Sequence, residues 1–550
     1  MLWRRFAEWL STPTGRRRAT DAAVLAVVFV FVGIAYGPSL KHPPRADQWC
    51  FLTDTIDDHT FLDTLRHSYS YNRTRLTAPG DTDLFRPLLF ALLAAEKVAF
   101  EGDLALAQGF GVVLHCAACA LLLVLLRQTA AIVRPAGSED AEPTAGRDRL
   151  IHATVAFFAL NPYVQELVIW GHLHGYLLFL LFLLGSVSCL LRYATDAHAG
   201  KPAAGFLAVG WGLALLAAFT YELGQFYALL AGAFVACAAV PRVGTKRAAC
   251  LFAVFAAVPV IYQTANRIDQ RVHRGQYTPD ELSGVMARQA LAPATVEHAA
   301  RYGVYTAAQP FFPSLIQPSY SGQRLQIAET VWAVRRLKTL SPALAVSFAA
   351  LGAAALLALA GLWRLARDRS RLPLLALLLP AGLCAGYGAM TVLGRMNMRS
   401  GPHILSSNSY YAYTGMLFAL FAAAAAWHAV GGWAGRVRTA LAVTLLALTA
   451  LGAEQVWRAN VTVSQSEREQ TRALRAVQEF VNAHRHEPGF SFEIDYAASD
   501  PVMGMYGRPI TLIVFSRWMS APEPSYRIAL RDGKAQPCDA RVATRPPATP

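Results

Sequence analysis

The sequence predicts an all-α polytopic membrane bundle of about 11 transmembrane helices, followed by a small extracytoplasmic α+β module. Hydrophobic residues make up 54% of the 550 residues and charged residues only 16%, and the mean hydropathy is +0.32. A soluble domain of this length does not need so apolar a composition. Apolar runs of about 20 residues recur along the chain, and each is long enough to cross a hydrocarbon core of about 30 Å as a helix.

The predicted spans follow one another through the first 456 residues. They cover residues 21–40, 104–126, 151–170, 177–191, 206–221, 226–240, 248–264, 342–365, 372–393, 410–430 and 437–456. The span at 151–170 differs from the others because its ends are polar. Residues 1–456 are therefore predicted to form the membrane domain, and residues 457–550 the module that follows it.

The N-terminus is predicted to be cytoplasmic. Arg4, Arg5 and the run Arg16 to Arg18 come before the first span, and no small-residue cleavage site directly follows its apolar stretch. The span is therefore interpreted as a retained anchor with its basic flank inside. This places residues 41–84 in a first outer loop.

The segment 85–100 decides the topology of the rest of the chain. If it crossed the membrane, the basic loops at 241–247 and 364–371 would lie outside, against the positive-inside rule. We therefore predict a short interfacial helix at 85–100. Every arginine-rich loop then lies inside, and a long outer loop covers residues 266–341.

The module at 457–550 also falls on the outside. Its section 463–485 is charged with a helical pattern, and PITLIVFSRW at 509–518 predicts a strand, so a small α+β unit is expected. The proline-rich end is typical of disorder.

The net charge of +14 belongs largely to the cytoplasmic loops, and nucleic acid is not expected as a partner. Of the 50 basic residues only six are lysine, a bias that indicates a GC-rich bacterial genome and hence the inner membrane. The sequence has neither a GxxxxGK phosphate loop nor a GxSxG elbow. No nucleotide or other cofactor is predicted, so an outward-facing transferase would need a donor activated on a lipid.

Charged residues beside the apolar runs are the first candidates for function. NPYVQELVIWGHLHGY at 161–176 places Glu166, His172 and His174 between two apolar runs. A carboxylate at such depth costs about 2 to 4 kcal/mol unless it has a partner or a wet cavity. The alternative is a glutamate in a loop at the membrane surface.

The first outer loop is expected to supply an acid-base group. Asp47 follows the first span closely, beside Trp49 and Phe51. Partial desolvation there would raise its pKa and suit it to accept a proton from an attacking hydroxyl. Asp54, Asp57 and Asp58, further along the loop, are expected to be solvated.

The order of several short motifs resembles the GT-C superfamily of membrane glycosyltransferases. Asp47 is followed by Phe-Arg-Pro-Leu at 85–88, His115, the NPYVQELVIWG stretch at 161–171 and Thr-Tyr-Glu-Leu-Gly at 220–224. The likeness is strongest to the O-mannosyltransferase branch that carries tetratricopeptide repeats, and to its bacterial relatives. It covers roughly residues 20 to 240.

This resemblance implies a GT-C-like bundle, a polyprenyl-phosphate-linked sugar donor and inverting transfer to an acceptor hydroxyl. The acceptor would be a glycan, lipid or protein outside the cytoplasm. The resemblance also implies that Asp47 is the catalytic base. The chain departs from the family at Gln48, where a second acid is expected, and at His172, where an arginine is expected; the repeats are absent as well.

Arginines and histidines on the outer face are the predicted substrate ligands. Arg86 could meet the donor phosphate, because a guanidinium stabilises the charge on a leaving phosphate; its alternative is a helix-end arginine that snorkels to the interface. His172 and His174 could contact phosphate or hydroxyl groups, and Arg395 and Arg399 are alternative phosphate binders. No metal is predicted, since an HxH pair without a third ligand is weak support for one.

Two other functions fit the same sequence. A transporter or flippase of lipid-linked glycans would also place charges within a helical bundle, but it should show related halves or interrupted spans near the midplane. A GT-C-like protein that binds the donor without transferring it would explain Gln48 in place of the second acid.

Overall fold

The structure, a computed structural model, is almost entirely helical where it describes the chain. The described residues are 12–41, 47–66, 85–101, 103–134, 144–272, 293–313, 341–368, 370–396, 409–430, 434–462, 465–500, 515–519 and 524–538. Among these residues, seven helices are long and apolar enough to cross a membrane. The predicted class, a helical membrane protein, is therefore confirmed.

Fourteen helices make up the described part of the membrane domain. They are α1 Pro13–Tyr36, α2 Asp47–Asp54, α3 Pro87–Ala99, α4 Leu104–Ile132, α5 Thr144–Ala159, α6 Gln165–Ile169, α7 His174–His198, α8 Ala204–Thr220, α9 Leu223–Val272, α10 Pro293–Ala307, α11 Pro342–Asp368, α12 Arg371–Met396, α13 Ser409–Ala429 and α14 Ala434–Val461. Apart from those of α2 and α3, which form a smaller cluster, their inward apolar side chains form one continuous buried cluster, with α7 packed on α4 and α8, and α14 packed on α5 and α11.

Helix α1 begins earlier than the sequence predicts. The Thr12 side chain accepts a hydrogen bond from Gly15 N at 2.9 Å, and Pro13 takes the first helical position. Both features are favourable at a helix start. The run Arg16 to Arg18 therefore lies inside the helix rather than ahead of it.

Helix α9 consists of two arms that meet at Gly244. This residue has φ +75° and ψ 168°, a conformation that glycine adopts without strain. The two arms fold back on each other and are in close contact: a Cβ added at Gly232 in the first arm would lie 2.8 Å from Phe255 Cβ in the second. They correspond to the spans predicted at 226–240 and 248–264.

The single helix predicted over 151–170 is not observed. Helix α5 ends at Ala159, and the chain continues through short turns at Pro162–Val164 and Gly171–Leu173, with α6 between them. Asn161 accepts a hydrogen bond from Tyr163 N at 3.1 Å and so caps the first turn. Residues 153–171 are buried, so protein rather than lipid surrounds this irregular backbone, as a membrane protein requires.

Contacts between helix ends define two ends of the bundle. At the near end, Asn460 of α14 donates to Ala35 O of α1 at 2.8 Å and accepts from Gln165 of α6 at 2.7 Å. At the far end, Arg127 of α4 pairs with Asp21 of α1 at 2.5 Å. Because α4 runs from one end to the other, its start at Leu104 lies at the near end.

The segment 85–100 is a short helix, as predicted. Helix α3 has 13 residues and spans only about 20 Å, too little for the membrane core. Both basic loops lie at the far end. Arg242 donates to His198 O at the end of α7, and Arg364 donates to Ala429 O at the end of α13. The shared side that the sequence predicts for these loops and the N-terminal arginines is thus consistent with the fold.

The C-terminal part forms a helix and a small sheet. Helix α15, Gln465–His484, confirms the helix predicted at 463–485, and its apolar face packs on strands β1 Phe492–Ile494, β2 Tyr526–Arg531 and β3 Lys534–Pro537. The sheet order is β1-β2-β3, with β1 and β2 parallel and β2 and β3 antiparallel. The strand predicted over 509–518 falls mostly outside the described residues, and its described end is wrong, since Ser516–Met519 is a helical turn, α16.

Candidate functional site

A pocket opens at the near end between α2, α3 and the starts of α4 and α7. Its polar lining comes from Gln48 of α2, Glu96 and Lys97 of α3, Asp103 before α4, and His172, and much of the remaining wall is apolar. The apolar wall includes Phe51, Leu52, Leu93, Phe100, Leu104 and Ala107. Its volume is about 30 Å³, room for about two water molecules. The site is therefore a small cleft with a polar rim and an apolar wall.

Helix α2 begins at the predicted base and lines the pocket with the residue that follows it. Asp47 is its first residue, although the Asp47 side chain lies outside the described residues. Its neighbour Gln48 is buried against Gly171: a Cβ added to that glycine would lie 2.5 Å from Gln48 Nε2. The absence of a side chain at Gly171 leaves room for the Gln48 amide. The Gln48 side chain of α2 and the 161–176 segment, predicted to share a face, thus meet directly.

The two predicted histidines have different surroundings. His172 is half-buried and lines the pocket. His174 is fully buried, and its Nδ1 lies 3.0 and 3.1 Å from the two carboxylate oxygens of Glu96. It stands behind the pocket wall, next to Gly111 of α4 and the Val168 carbonyl. Direct contact of His172 or His174 with substrate remains a prediction, and only His172 has access to the pocket as it stands.

Lys97 connects α3 to the loop that follows α2. Its ammonium donates to Thr55 O and, at 2.9 Å, to Asp58 O. Burial lowers the pKa of Lys97, and the charges of Asp58 and Asp57 offset only part of that effect. The side chain therefore holds its charge at a cost and fastens the end of α2 to α3.

Arg86 makes a bidentate ion pair with Glu222. Its Nε and Nη2 lie 2.7 and 2.6 Å from the two carboxylate oxygens, and its guanidinium lies 4.2 Å from the ring centre of Tyr221. Burial opposes the charge, but the Glu222 carboxylate outweighs it and raises the pKa of Arg86. Arg86 is not part of the pocket lining in the described residues. Its contact with a donor phosphate remains a prediction.

Glu166 is deeply buried, at 2% exposure, in the first turn of α6. It lies at the near end, next to Gln165 with its bond to Asn460, but outside the described lining of the pocket. Its side chain is therefore enclosed by protein rather than exposed to solvent in a loop. Its role as a substrate ligand remains a prediction.

The remaining predicted ligands fall largely outside the described residues. Arg395 lies in the last turn of α12, but its side chain is not described, and Arg399 lies wholly outside. Within the part of the chain that is described, no three His, Cys, Asp or Glu side chains are arranged to hold a metal ion.

Sequence reasoning missed Glu96 and Lys97 as pocket residues and Glu222 as the partner of Arg86. Glu96 and Lys97 lie near the end of the helix predicted at 85–100. The sequence signal that could have indicated them is a carboxylate and an amine in the otherwise apolar run 87–99, because each of these groups needs a partner there. His115, another position matched in the resemblance, bonds Tyr413 Oη at 2.8 Å and Ala159 O at 2.9 Å, and so joins three helices.

Comparison of the chain with models of protein families and with curated proteins gives no match. The functional assignment therefore rests on the chain's own residues and on their geometry.

Proposed function

We propose that the chain is an integral-membrane glycosyltransferase of the GT-C type. It transfers a sugar from a polyprenyl-phosphate-linked donor to a glycan, lipid or protein acceptor outside the cytoplasm, with the near end facing outward from a bacterial inner membrane. The observation that supports this best is the packing of Gln48 against Gly171. It joins the helix that begins at Asp47 to the 161–176 segment at one pocket, and both belong to the series of motifs whose order carries the resemblance.

In the proposed reaction Asp47 takes the proton from the acceptor hydroxyl as its oxygen attacks the anomeric carbon. The bond between that carbon and the phosphate oxygen breaks on the opposite face, so the configuration inverts and polyprenyl phosphate leaves. The leaving phosphate gains negative charge, which a hydrogen-bond donor or cation at the pocket would stabilise. His172 has this access directly. Arg86 would reach a phosphate only by exchanging bonds with Glu222.

The pocket also suits an amphiphilic donor in its chemistry. Leucine and phenylalanine side chains form one wall, and Gln48, Glu96, Lys97, Asp103 and His172 form the rim. A lipid-linked sugar needs both surfaces at the membrane boundary. A sugar ring is larger than the present volume of about 30 Å³, so the wall has to open when the donor binds. Helix α2 supplies Gln48, Phe51 and Leu52 of that wall.

The test is sugar transfer by the purified full-length protein from radiolabelled polyprenyl-phosphate sugars to membrane extract. Asp47→Asn keeps the size of the side chain but cannot accept the proton, so the rate should fall by about a hundredfold or more. Expression and thermal stability should remain those of the wild type. Asp54→Asn, from the same helix, is the matched control and should stay within about threefold of the wild type.

Three outcomes would contradict the proposal in different ways. Absence of transfer by the wild type with every donor, despite donor binding, would favour the non-catalytic alternative. Normal transfer by Asp47→Asn together with loss of transfer in Asp54→Asn would mean that the catalytic base is not Asp47 but a residue further along the chain. Donor movement across vesicle membranes without transfer would favour the flippase.

A further inference from the structure

Helix α2 and the turn after it are held on one side by α3. Phe51 packs with Leu89, Phe90 and Leu93 in a small buried cluster. Lys97 donates to the carbonyls of Thr55 and Asp58. This side of α2 is thus fixed to the membrane domain at its centre and at its end.

The C-terminal module contacts the opposite side of the same short segment. Ile56 packs against the apolar core of the module. Thr53 Oγ1 donates to Gln478 Oε1 at 3.2 Å, and Arg485 Nε lies 3.2 Å from Asp57 Oδ1. Residues 53–57 are therefore sandwiched between two parts of the chain that are more than 350 positions apart in sequence.

The module presents these contacts from an apolar core of its own. This core is separate from that of the membrane domain and joins Leu474, Val477 and Val481 of α15 to Phe492 and Ile528 of the sheet. Arg485 directly follows α15 and continues its last turn, since Arg485 N donates to Val481 O at 2.8 Å. It lies seven residues after Gln478, two helical turns, so the two side chains project from the same side.

The grip is weak in energetic terms. The side chain of Asp57 is 46% exposed and that of Arg485 is 16% exposed, and a partly exposed ion pair changes an equilibrium constant by about fivefold at most. A hydrogen bond between neutral side chains has an effect of about the same size. Contacts of this size can break and reform at room temperature. The segment they hold directly follows Phe51 and Leu52, which belong to the pocket wall.

We propose that the C-terminal module is an intramolecular clamp on α2, and that Gln478 and Arg485 are positioning residues that set the place of α2 against the pocket. Through the backbone of α2 they also set the place of Asp47, and this consequence rests on the proposed function. The clamp consists of contacts between the module and residues 53–57, so it can be tested without an assay of sugar transfer.

The first experiment measures hydrogen exchange in the full-length protein. Arg485→Asp places a second negative charge against Asp57, and the amides of residues 47–58 should exchange about threefold to tenfold faster, the effect of losing up to about 1 kcal/mol plus repulsion. Asp57→Arg combined with Arg485→Asp restores opposite charges and should return exchange toward the wild-type rate. Arg475→Asp, exposed on the same helix, is the matched control and should leave residues 47–58 unchanged.

Exchange in β1 to β3 shows whether the module stays folded in each variant. If Arg485→Asp leaves exchange of residues 47–58 at the wild-type rate while the module is folded, the clamp is overturned. It is also overturned if the double variant fails to recover while each single variant is folded.

The second experiment measures transfer in the same variants. Arg485→Asp should lower kcat/KM by about threefold to tenfold, with recovery in the charge-swapped double variant. If the wild-type protein transfers no sugar, the proposed function is contradicted, but the hydrogen-exchange result still tests the clamp. Faster exchange with unchanged kcat/KM, in a wild type that transfers sugar, would overturn the positioning of Asp47 by the clamp.

Discussion

The near and far ends of the bundle both hold charged side chains among apolar helices, but they use them differently. At the far end Arg127 pairs with both Asp21 and Asp148, and His152 Nε2 lies 2.7 Å from Asp21 Oδ1. These four groups satisfy one another and tie α1, α4 and α5 together. At the near end Glu96, Lys97 and His172 surround a pocket.

This difference shows that a buried charge in a membrane protein is not by itself a site. Sequence hydropathy marks both ends equally, since each charge interrupts or borders an apolar run. The two ends differ in whether there is a cavity beside the charged groups and in whether the side chains point into it. A closed network of ion pairs fastens helices, whereas polar groups on the rim of a cleft can meet a ligand.

The largest effect on stability is expected at the far end, from Arg127→Met. It leaves Asp21 and Asp148 without their shared partner, and the free energy of unfolding should fall by roughly 3 kcal/mol, since removal of one member of a buried ion pair leaves an uncompensated charge. Thermal unfolding in detergent measures this. Transfer per folded molecule should be unchanged, in contrast to Asp47→Asn, which should lose transfer and keep stability.

Arg149→Met is the control for that experiment, because Arg149 is exposed and close to Asp148 in sequence. Adding Asp21→Asn to Arg127→Met should recover part of the lost stability, since it removes one of the two stranded charges. Equal melting of Arg127→Met and Arg149→Met would show that the far-end network does not fasten the helices.

A smaller effect is expected from packing around the near-end histidine. A methyl group added in Gly111→Ala would meet the His174 ring and would lie 2.5 Å from the Val168 carbonyl oxygen. Overpacking of this kind costs about 1 to 3 kcal/mol, more than the gain of about 1 kcal/mol in helix propensity. The melting temperature should therefore fall.

Gly109→Ala tests the same change one half-turn earlier in α4. Its nearest neighbour is Leu40 Cδ2 at 3.8 Å, an ordinary contact, so alanine should be neutral or stabilising. If Gly111→Ala is as stable as Gly109→Ala, the wall behind the pocket is looser than the geometry indicates.

The smallest effect is the pH dependence that Lys97 contributes. Burial lowers the pKa of Lys97 below 10.5 in the folded protein, so the folded state releases this proton before the unfolded state does. The contribution of Lys97 to stability therefore increases as pH rises toward 10.5 and is lost again as pH falls through the folded pKa. The difference in melting temperature between the wild type and Lys97→Met should shift in favour of the wild type from pH 8 to pH 10.5.

Lys246→Met changes an exposed lysine beside the far-end turn at Gly244 and serves as the control. A shift of the same sign and size in Lys246→Met would mean that the pH effect comes from net charge rather than from the burial of Lys97.

The sequence by itself determined most of the helices and the class of the protein. Apolar runs predicted the spans, and the charge argument predicted that 85–100 is a short helix. Both follow from the cost of placing polar groups and unpaired backbone in hydrocarbon, which local composition records directly. Arg86, Glu166 and His172 were also selected as candidates, because charged or polar residues near apolar runs stand out in sequence.

Only the tertiary structure decided how these residues are joined. The pairing of Arg86 with Glu222, of His174 with Glu96 and of Arg485 with Asp57 brings together positions that lie 136, 78 and 428 residues apart. The break in the helix at Asn161 likewise depends on surrounding protein to shield its backbone. Hydropathy is a local property, whereas the choice of a partner depends on which helix faces meet, and helix packing alone settles that.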